Sequence, residues 1–197
     1  MIQRPIINAG ILLVVFTSVS IFFVSFTQDQ TKDQIRYNEE QLLIKRLGEL
    51  VDGYDNKILD DKFSKNINIH GIDQEVNIYP AKSNNKTFAY LVEHTYPNGY
   101  NGNIRLLTGV GTDNTLLGVR VITHKETPGL GDKIDTKKSN WIEQFAGLSL
   151  SNPLPSQWKV KSDGGAFDSF TGATITPRAI VTASYQVLEY FSQHEVE

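Results

Sequence analysis

Residues 168–178 read Asp-Ser-Phe-Thr-Gly-Ala-Thr-Ile-Thr-Pro-Arg, and they stand directly before a pronounced helical pattern. Apolar residues recur at positions 180, 183, 187, 188 and 191, a spacing that predicts a helix. Thr176 is a suitable N-cap residue, and Pro177 suits the first position of such a helix. A phosphate carried by the hydroxyl of Thr174 would then lie beside free backbone N–H groups at the positive end of the helix dipole.

A second stretch, residues 124–134, reads His-Lys-Glu-Thr-Pro-Gly-Leu-Gly-Asp-Lys-Ile. Gly129 and Gly131 allow the backbone to approach a ligand closely or to adopt a positive φ, and Pro128 fixes the entry to the loop. Taken alone, each stretch is also explained by a tight turn that leads into a helix, because short motifs often match by chance. The pairing of the two stretches favours a shared site.

Both stretches resemble motifs of the RnfG family, a component of Rnf electron-transport complexes, and of the related NqrC family of sodium-translocating NADH:quinone reductases. Residues 168–178 are similar to the flavinylation motif, in which the last threonine of a Ser/Thr-Gly-Ala-Thr string carries FMN through a phosphoester bond. Residues 126–131 are similar to the Glu-Thr-Pro-Gly-Leu-Gly signature of both families. The resemblance extends through residues 99–102, and the runs 118–145 and 163–168 are closer to RnfG.

The resemblance implies a covalent FMN site at Thr174, filled by a separate flavin transferase that takes FMN from FAD with a divalent metal. Asp168 and residues 172–174 would be recognised by the transferase. Arg178 could either offset the charge of the phosphate or point to solvent. Glu126 and Thr127 would supply polar contacts to the flavin, and Leu130 and Trp141 an apolar surface, as is usual in cofactor pockets. The full set of expected cofactor contacts is Glu126, Thr127, Gly129, Leu130, Gly131, Thr171, Gly172, Ala173, Thr174, Ile175 and Thr176.

The composition fits one medium domain with an appendage: 197 residues, 40% hydrophobic, with a formal net charge of −3. The sequence shows no stripe of Lys and Arg residues of the kind that is typical of a nucleic-acid-binding domain. The four histidines lie far apart in sequence and cysteine is absent, so we expect no metal site. We also expect no catalytic residue, but an electron-transfer component of a larger oxidoreductase rather than an enzyme that acts alone.

The segment Ile6 to Phe26 contains 21 residues without a charge. At about 1.5 Å per residue, such a helix spans roughly the 30 Å hydrocarbon core of a bilayer. A cleavable signal peptide is the competing interpretation, with a small-x-small site at residues 18–20, but the apolar stretch is longer than a usual signal core. The Lys/Arg asymmetry around the segment is weak. The resemblance implies a single-pass protein of the bacterial inner membrane with its large C-terminal domain in the periplasm.

We divide the chain into an anchor (1–28), a stalk or connecting helix (29–55) and an FMN-binding domain (56–197). Apolar spacing predicts a helix over 31–51 that ends at Asp52-Gly53. Strands are expected at 76–79, 88–95, 104–110 and 116–122, the last two as a hairpin around a turn at 111–114. Residues 54–68 are polar and turn-rich. The expected fold is therefore an α+β domain with a mainly antiparallel sheet. A Rossmann site is rejected, because Asn114 stands where the third glycine is required.

These patterns predict a membrane-anchored flavoprotein that relays electrons through FMN bound covalently to threonine. Its implied partners are the other components of an Rnf complex, together with the flavin transferase during maturation. Two alternatives remain open. The chain could be the NqrC component of a quinone reductase, or a cofactor-free anchored binding or assembly module in which both motifs are turns.

Overall fold

The computed structural model describes residues 3–194, which divide into a first compact unit that ends at Leu43 and a second that begins at Ile44. A single α-helix, α1, runs from Gln3 to Gly48. The expected separate helices for anchor and stalk are thus one element, because the polar residues between them include neither glycine nor proline. Helix α1 also ends four residues before Asp52, at a glycine, which has a low helix propensity.

Within the described residues, the first unit is the part of α1 up to Leu43, and its apolar side chains between Ile6 and Phe26 are exposed. Within the described residues, this is the one helix that is long and apolar enough to cross a membrane. The hydroxyl of Thr17 donates to the carbonyl of Leu13 at 2.8 Å, so this polar side chain is satisfied by the helix itself. The prediction of one long apolar N-terminal helix is confirmed, and by its length and composition this helix is a candidate membrane span.

The second unit contains a five-stranded sheet in which each strand pairs with the next one along the chain in antiparallel fashion. The strands are β1 (Phe63–Ile69), β2 (Ile72–Ser83), β3 (Lys86–Gly99), β4 (Gly102–Gly111) and β5 (Leu116–Thr123). The expected hairpin of β4 and β5 is present, with Asn114 at φ 60° in its turn. The prediction of an α+β domain with an antiparallel sheet is confirmed.

Most of strand β1 lies in residues 54–68, which the sequence predicts to be polar and turn-rich, so that prediction is wrong for residues 63–68. The strand lies at an edge of the sheet, and its side chains alternate between more exposed and more buried positions. The polar half of that alternation, with Ser64, Asn66 and Asn68, hides the strand pattern.

Helix α2 (Ile175–Gln193) covers one face of the sheet and closes the main core. Its buried positions include Ile180, Val187 and Leu188, which follow the helical spacing seen in the sequence. Between β5 and α2 the chain forms a long connection with short 3-10 helices at Gly131–Ile134, Trp141–Phe145, Pro155–Gln157 and Lys161–Asp163. This connection carries residues 126–131 to the beginning of α2.

Candidate functional site

A cavity of about 470 Å³ opens where three segments meet: the turn between β3 and β4, the loop that begins at Glu126, and the beginning of α2. It is lined by Tyr100, Glu126, Thr127, Leu130, Gly131, Gly172, Ala173, Thr174, Ile175 and Thr176. The structure therefore brings the two motifs to one cavity, although some forty residues separate them in sequence. Of the expected contacts, Thr171 and Gly129 are exposed and do not line the cavity. Tyr100 lines it and was not among the expected contacts.

Thr174 is half-buried and immediately precedes α2. A tight turn leads to it, with Gly172 at φ 80° and the N–H of Ala173 donating to the carbonyl of Phe170 at 3.0 Å. Within residues 3–194, the hydroxyl of Thr174 has no hydrogen-bond partner, and neither do the backbone N–H groups of Thr174, Ile175 and Thr176. These are unsatisfied donors of a helix start, and they lie at the wall of a cavity.

The expected cap of α2 was wrong by two residues. Thr174 occupies the N-cap position without a side-chain capping bond, so Thr176 and Pro177 are the second and third residues of the helix. The hydroxyl of Thr176 is buried and donates to Oε2 of Glu126 instead. Pro177 is still compatible with the first turn, where an N–H has no intrahelical partner.

Glu126 joins the three segments that form the cavity. Its Oε1 accepts a hydrogen bond from the backbone N–H of Asn101 at 3.1 Å, and its Oε2 accepts one from Thr176. Beside it, the side-chain amide of Asn101 donates to the hydroxyl of Thr127 at 3.2 Å. We call Asn101, Glu126 and Thr176 the carboxylate cluster.

The loop from Glu126 to Gly131 is a compact turn. The N–H groups of Leu130 and Gly131 both donate to the carbonyl of Thr127 at 3.1 Å, while Gly129 has a φ of 79°. The backbone N–H of Gly129 donates to Asp132 Oδ1 at 2.8 Å, which ties the turn to the following 3-10 helix. Leu130 remains 42% exposed, so the loop presents an apolar side chain at the cavity.

Trp141 does not line the cavity, in contrast to its expected role as an apolar wall. Its indole N–H donates to the carbonyl of Asp168 at 2.9 Å, and its ring packs edge-on against Phe170 with 5.0 Å between centroids. Because Phe170 is buried, Trp141 and Phe170 fasten the segment that leads to Thr174. The carboxylate of Asp168 is exposed and pairs with Lys161 at 2.7 Å.

Arg178 is not among the residues that line the cavity. Its guanidinium donates to both carboxylate oxygens of Asp163, at 2.6 and 2.8 Å. These hydrogen bonds hold the pKa of Asp163 below its usual value. Arg178 thus links α2 to the 3-10 helix Lys161–Asp163.

Two histidines that are distant in sequence meet beneath α2. The chain of contacts runs from the hydroxyl of Thr108 to His94 Nε2 (2.9 Å), from His94 Nδ1 to His70 Nε2 (2.9 Å), and from His70 Nδ1 to Gln186 Oε1 (2.6 Å). Burial lowers the pKa of both imidazoles, that of His94 well below its usual value, where the neighbouring His70 adds to the effect. We call these four residues the histidine cluster. The described residues contain no group of three or more side chains placed to hold a metal ion.

Comparison with known proteins defines the class first. The FMN-binding domain family matches residues 99–189, and the RnfG N-terminal region matches residues 1–50. The first match covers β4, β5, both motifs and most of α2, and the second covers α1. The chain thus has an apolar N-terminal helix followed in sequence by an FMN-binding domain.

Three relatives specify the family, and each is named as the G subunit of an ion-translocating oxidoreductase complex. The relative from Shewanella baltica (strain OS223) is 42% identical over 203 residues, covering 99% of this chain and 93% of the relative. The relative from Vibrio atlanticus (strain LGP32) is 41% identical over 187 residues, covering 94% and 90%, and that from Shewanella oneidensis 39% over 198 residues, covering 99% and 93%. This chain belongs to the family of these G subunits. The resemblance to RnfG is confirmed.

Proposed function

We propose that FMN is joined through its phosphate to Thr174 and relays electrons within an ion-translocating oxidoreductase complex. The coarser part of this function rests on the family: an FMN-binding domain on a chain with a candidate membrane helix. The covalent bond and the relay are the parts that we add.

One observation carries the proposal. Thr174 lines a cavity at the beginning of α2, and its hydroxyl and the neighbouring backbone N–H groups have no partner within the described residues. A phosphate on this hydroxyl would meet those donors and the positive end of the helix dipole. The cavity volume of about 470 Å³ lies within the range of small-molecule sites. Apolar Leu130 and Ile175 and the aromatic Tyr100 provide surfaces suited to a flat ring.

The attachment is a phosphoryl transfer whose atoms balance without any redox change. The oxygen of Thr174 bonds to the phosphorus of the FMN half of FAD, the bond between the two phosphates breaks, and AMP leaves with the hydroxyl proton. In the proposed step the transferase brings both FAD and a divalent metal. Thr174 is therefore an attachment point, and the chemistry of electron transfer belongs to the flavin.

The proposed location is the bacterial inner membrane, with the FMN-binding domain on the periplasmic side. A flavin that dissociated there would be lost by dilution, whereas a covalent bond keeps it at the site. The proposed partners are the other components of the complex named in the relatives, which would supply and accept the electrons, and the flavin transferase.

In-gel fluorescence tests the bond directly. The full chain is coexpressed with the flavin transferase, denatured and viewed under ultraviolet light. We expect a fluorescent band for the wild type and for Thr112→Ala, a control in the β4–β5 turn, and no band for Thr174→Ala. Peptide mass mapping should then place the mass of FMN on residue 174. A dark wild-type band, or a band that persists in Thr174→Ala, would contradict the proposal.

A further inference from the structure

Glu126 is a buried carboxylate without a cation beside it. Only 4% of the residue is exposed, and no Lys, Arg or His side chain in residues 3–194 lies within 4.0 Å of its oxygens. The other buried carboxylates in the described chain differ, since Glu93 pairs with Arg105 and Asp132 lies 3.8 Å from Lys138. Burying a charge is costly unless it is compensated, so the position of Glu126 calls for an explanation.

Two glycines leave the space that this carboxylate occupies. A Cβ at Gly99 would lie 2.8 Å from Glu126 Oε1. A Cβ at Gly131 would lie 2.7 Å from the hydroxyl oxygen of Thr176 and 3.1 Å from Glu126 Oε2. Contacts this short require a neighbour to move. The segments on both sides of Glu126 are thus shaped to admit the carboxylate next to the cavity.

The compensation of the charge at Glu126 is partial. The carboxylate accepts two hydrogen bonds, from Asn101 and Thr176, and lies near the positive end of α2. Hydrogen bonds and the helix dipole lower the cost of the charge but leave its sign unchanged. A neutral glutamine could also reach these segments. These two contacts alone therefore do not require an acidic side chain at the cavity wall.

We propose that Glu126 keeps the midpoint potential of the bound flavin low by fixing an un-neutralised carboxylate in the wall of its cavity. This inference rests on the proposed function, namely that the flavin occupies the cavity at Thr174. Reduction by two electrons and one proton leaves the isoalloxazine with one negative charge. A fixed carboxylate nearby disfavours that charge, and the effect is stronger in a site with little water. Charges close to the ring are among the groups by which proteins tune flavins.

The experiment measures the midpoint potential of the flavinylated full chain in detergent by spectroelectrochemical titration. Glu126→Gln removes the charge, Glu126→Asp keeps it, and Glu93→Gln removes a buried carboxylate that does not line the cavity. We expect Glu126→Gln to favour the reduced flavin by about ten-fold, a positive shift of about 30 mV for a two-electron couple. The Asp variant and Glu93→Gln are expected to stay near the wild-type potential.

A second neutral variant, Glu126→Ser, leaves room for water to reach the donors of Asn101 and Thr176. Its potential should shift in the same direction as that of Glu126→Gln. An unchanged or lower potential in a neutral variant that retains the fluorescent band would overturn the inference and leave the attachment at Thr174 intact. Loss of the flavin from both neutral variants, with retention in Glu126→Asp, would also overturn it, in favour of a role in attachment. A dark wild-type band would instead overturn the proposed function.

Discussion

The carboxylate cluster and the histidine cluster are two groups of polar side chains that contact α2, yet their hydrogen bonding differs. In the histidine cluster each imidazole has a partner at both ring nitrogens, an arrangement that uses one donor and one acceptor of each neutral ring. The carboxylate cluster adjoins a hydroxyl and backbone N–H groups without partners in the described chain. A saturated network stabilises the fold, whereas unsatisfied donors beside a cavity leave a capacity to bind.

Replacement of Gly131 should have the largest effect on the carboxylate cluster. In Gly131→Val, the new side chain collides with the hydroxyl of Thr176 and with Glu126, so the two motifs can no longer close on the cavity. We expect the yield of attached flavin to fall by at least about ten-fold and the domain to lose about 1–3 kcal/mol of stability. The yield is measured by in-gel fluorescence and the stability by urea unfolding. Gly48→Val is the control, because a Cβ there meets no atom within 4 Å outside its own helix. A normal yield in Gly131→Val would contradict the assigned packing.

Removal of one imidazole should mainly lower the stability of the fold and leave the flavin attached, whereas replacement of Gly131 should mainly lower the yield of attached flavin. His94→Ala leaves Thr108 and the Nε2 atom of His70 without a partner, while His70 Nδ1 keeps Gln186, and it creates a hole in the core. We expect the free energy of unfolding to fall by about 2–5 kcal/mol, with the flavin still attached at low temperature. Urea unfolding followed by tryptophan fluorescence gives the first quantity, and the fluorescent band gives the second. His194→Ala, at an exposed position, should be nearly neutral. Loss of the band without loss of stability would make the histidine cluster part of the flavin site.

The histidine cluster also predicts a pH dependence of stability. Because the pKa of His70 and that of His94 are lowered in the folded state, acid protonates these groups in the unfolded chain first. Their contribution is therefore fully present above the ordinary imidazole pKa of about 6.5 and is lost as the pH falls below it. Each proton taken up contributes a slope of up to about 1.4 kcal/mol per pH unit. Urea midpoints between about pH 7.5 and 5.5 should follow this trend in the wild type and in His194→Gln, and more weakly in His94→Gln. An equal slope in all three proteins would exclude His94 as a source of the pH dependence.

The smallest effect is expected at Arg178, outside both clusters. Its partner Asp163 draws the guanidinium away from the cavity, so Arg178→Gln should leave the yield of attached flavin unchanged. The pair is exposed to solvent, and such pairs contribute little to stability. We therefore expect an unfolding midpoint close to that of the wild type. A marked drop in flavin yield would return Arg178 to the role of a phosphate partner.

Local patterns predicted most of the elements. The β4–β5 hairpin followed from its turn residues and β-branched strands, and α2 followed from its apolar spacing. The features that were not predicted depend on contacts that join distant parts of the chain. Thr176 is a good cap by residue type, but Glu126 accepts its hydroxyl hydrogen bond, and no local rule contains that competitor.

The sequence predicted the residues of the candidate site that belong to the two motifs. Residues outside these motifs were missed. Thr174 and the loop at Glu126 were expected to meet, and both line the cavity. Tyr100 was missed, although the family resemblance includes residues 99–102, because this turn reaches the cavity only through the pairing of β3 with β4. His70 and His94 stand far apart in the sequence, and only the register of the sheet and Gln186 of α2 bring them together.

The order of elements along the chain has a consequence for biosynthesis. The whole meander lies between Phe63 and Thr123, and every strand pairs with its sequence neighbour. During synthesis from the N-terminus, all of the sheet is therefore made before Thr174 and before α2, the helix that covers its apolar face. A nascent chain that stops short of α2 exposes an uncovered sheet to chaperones and proteases. Under the proposed function, the flavin transferase would therefore meet Thr174 only after the whole sheet has been made.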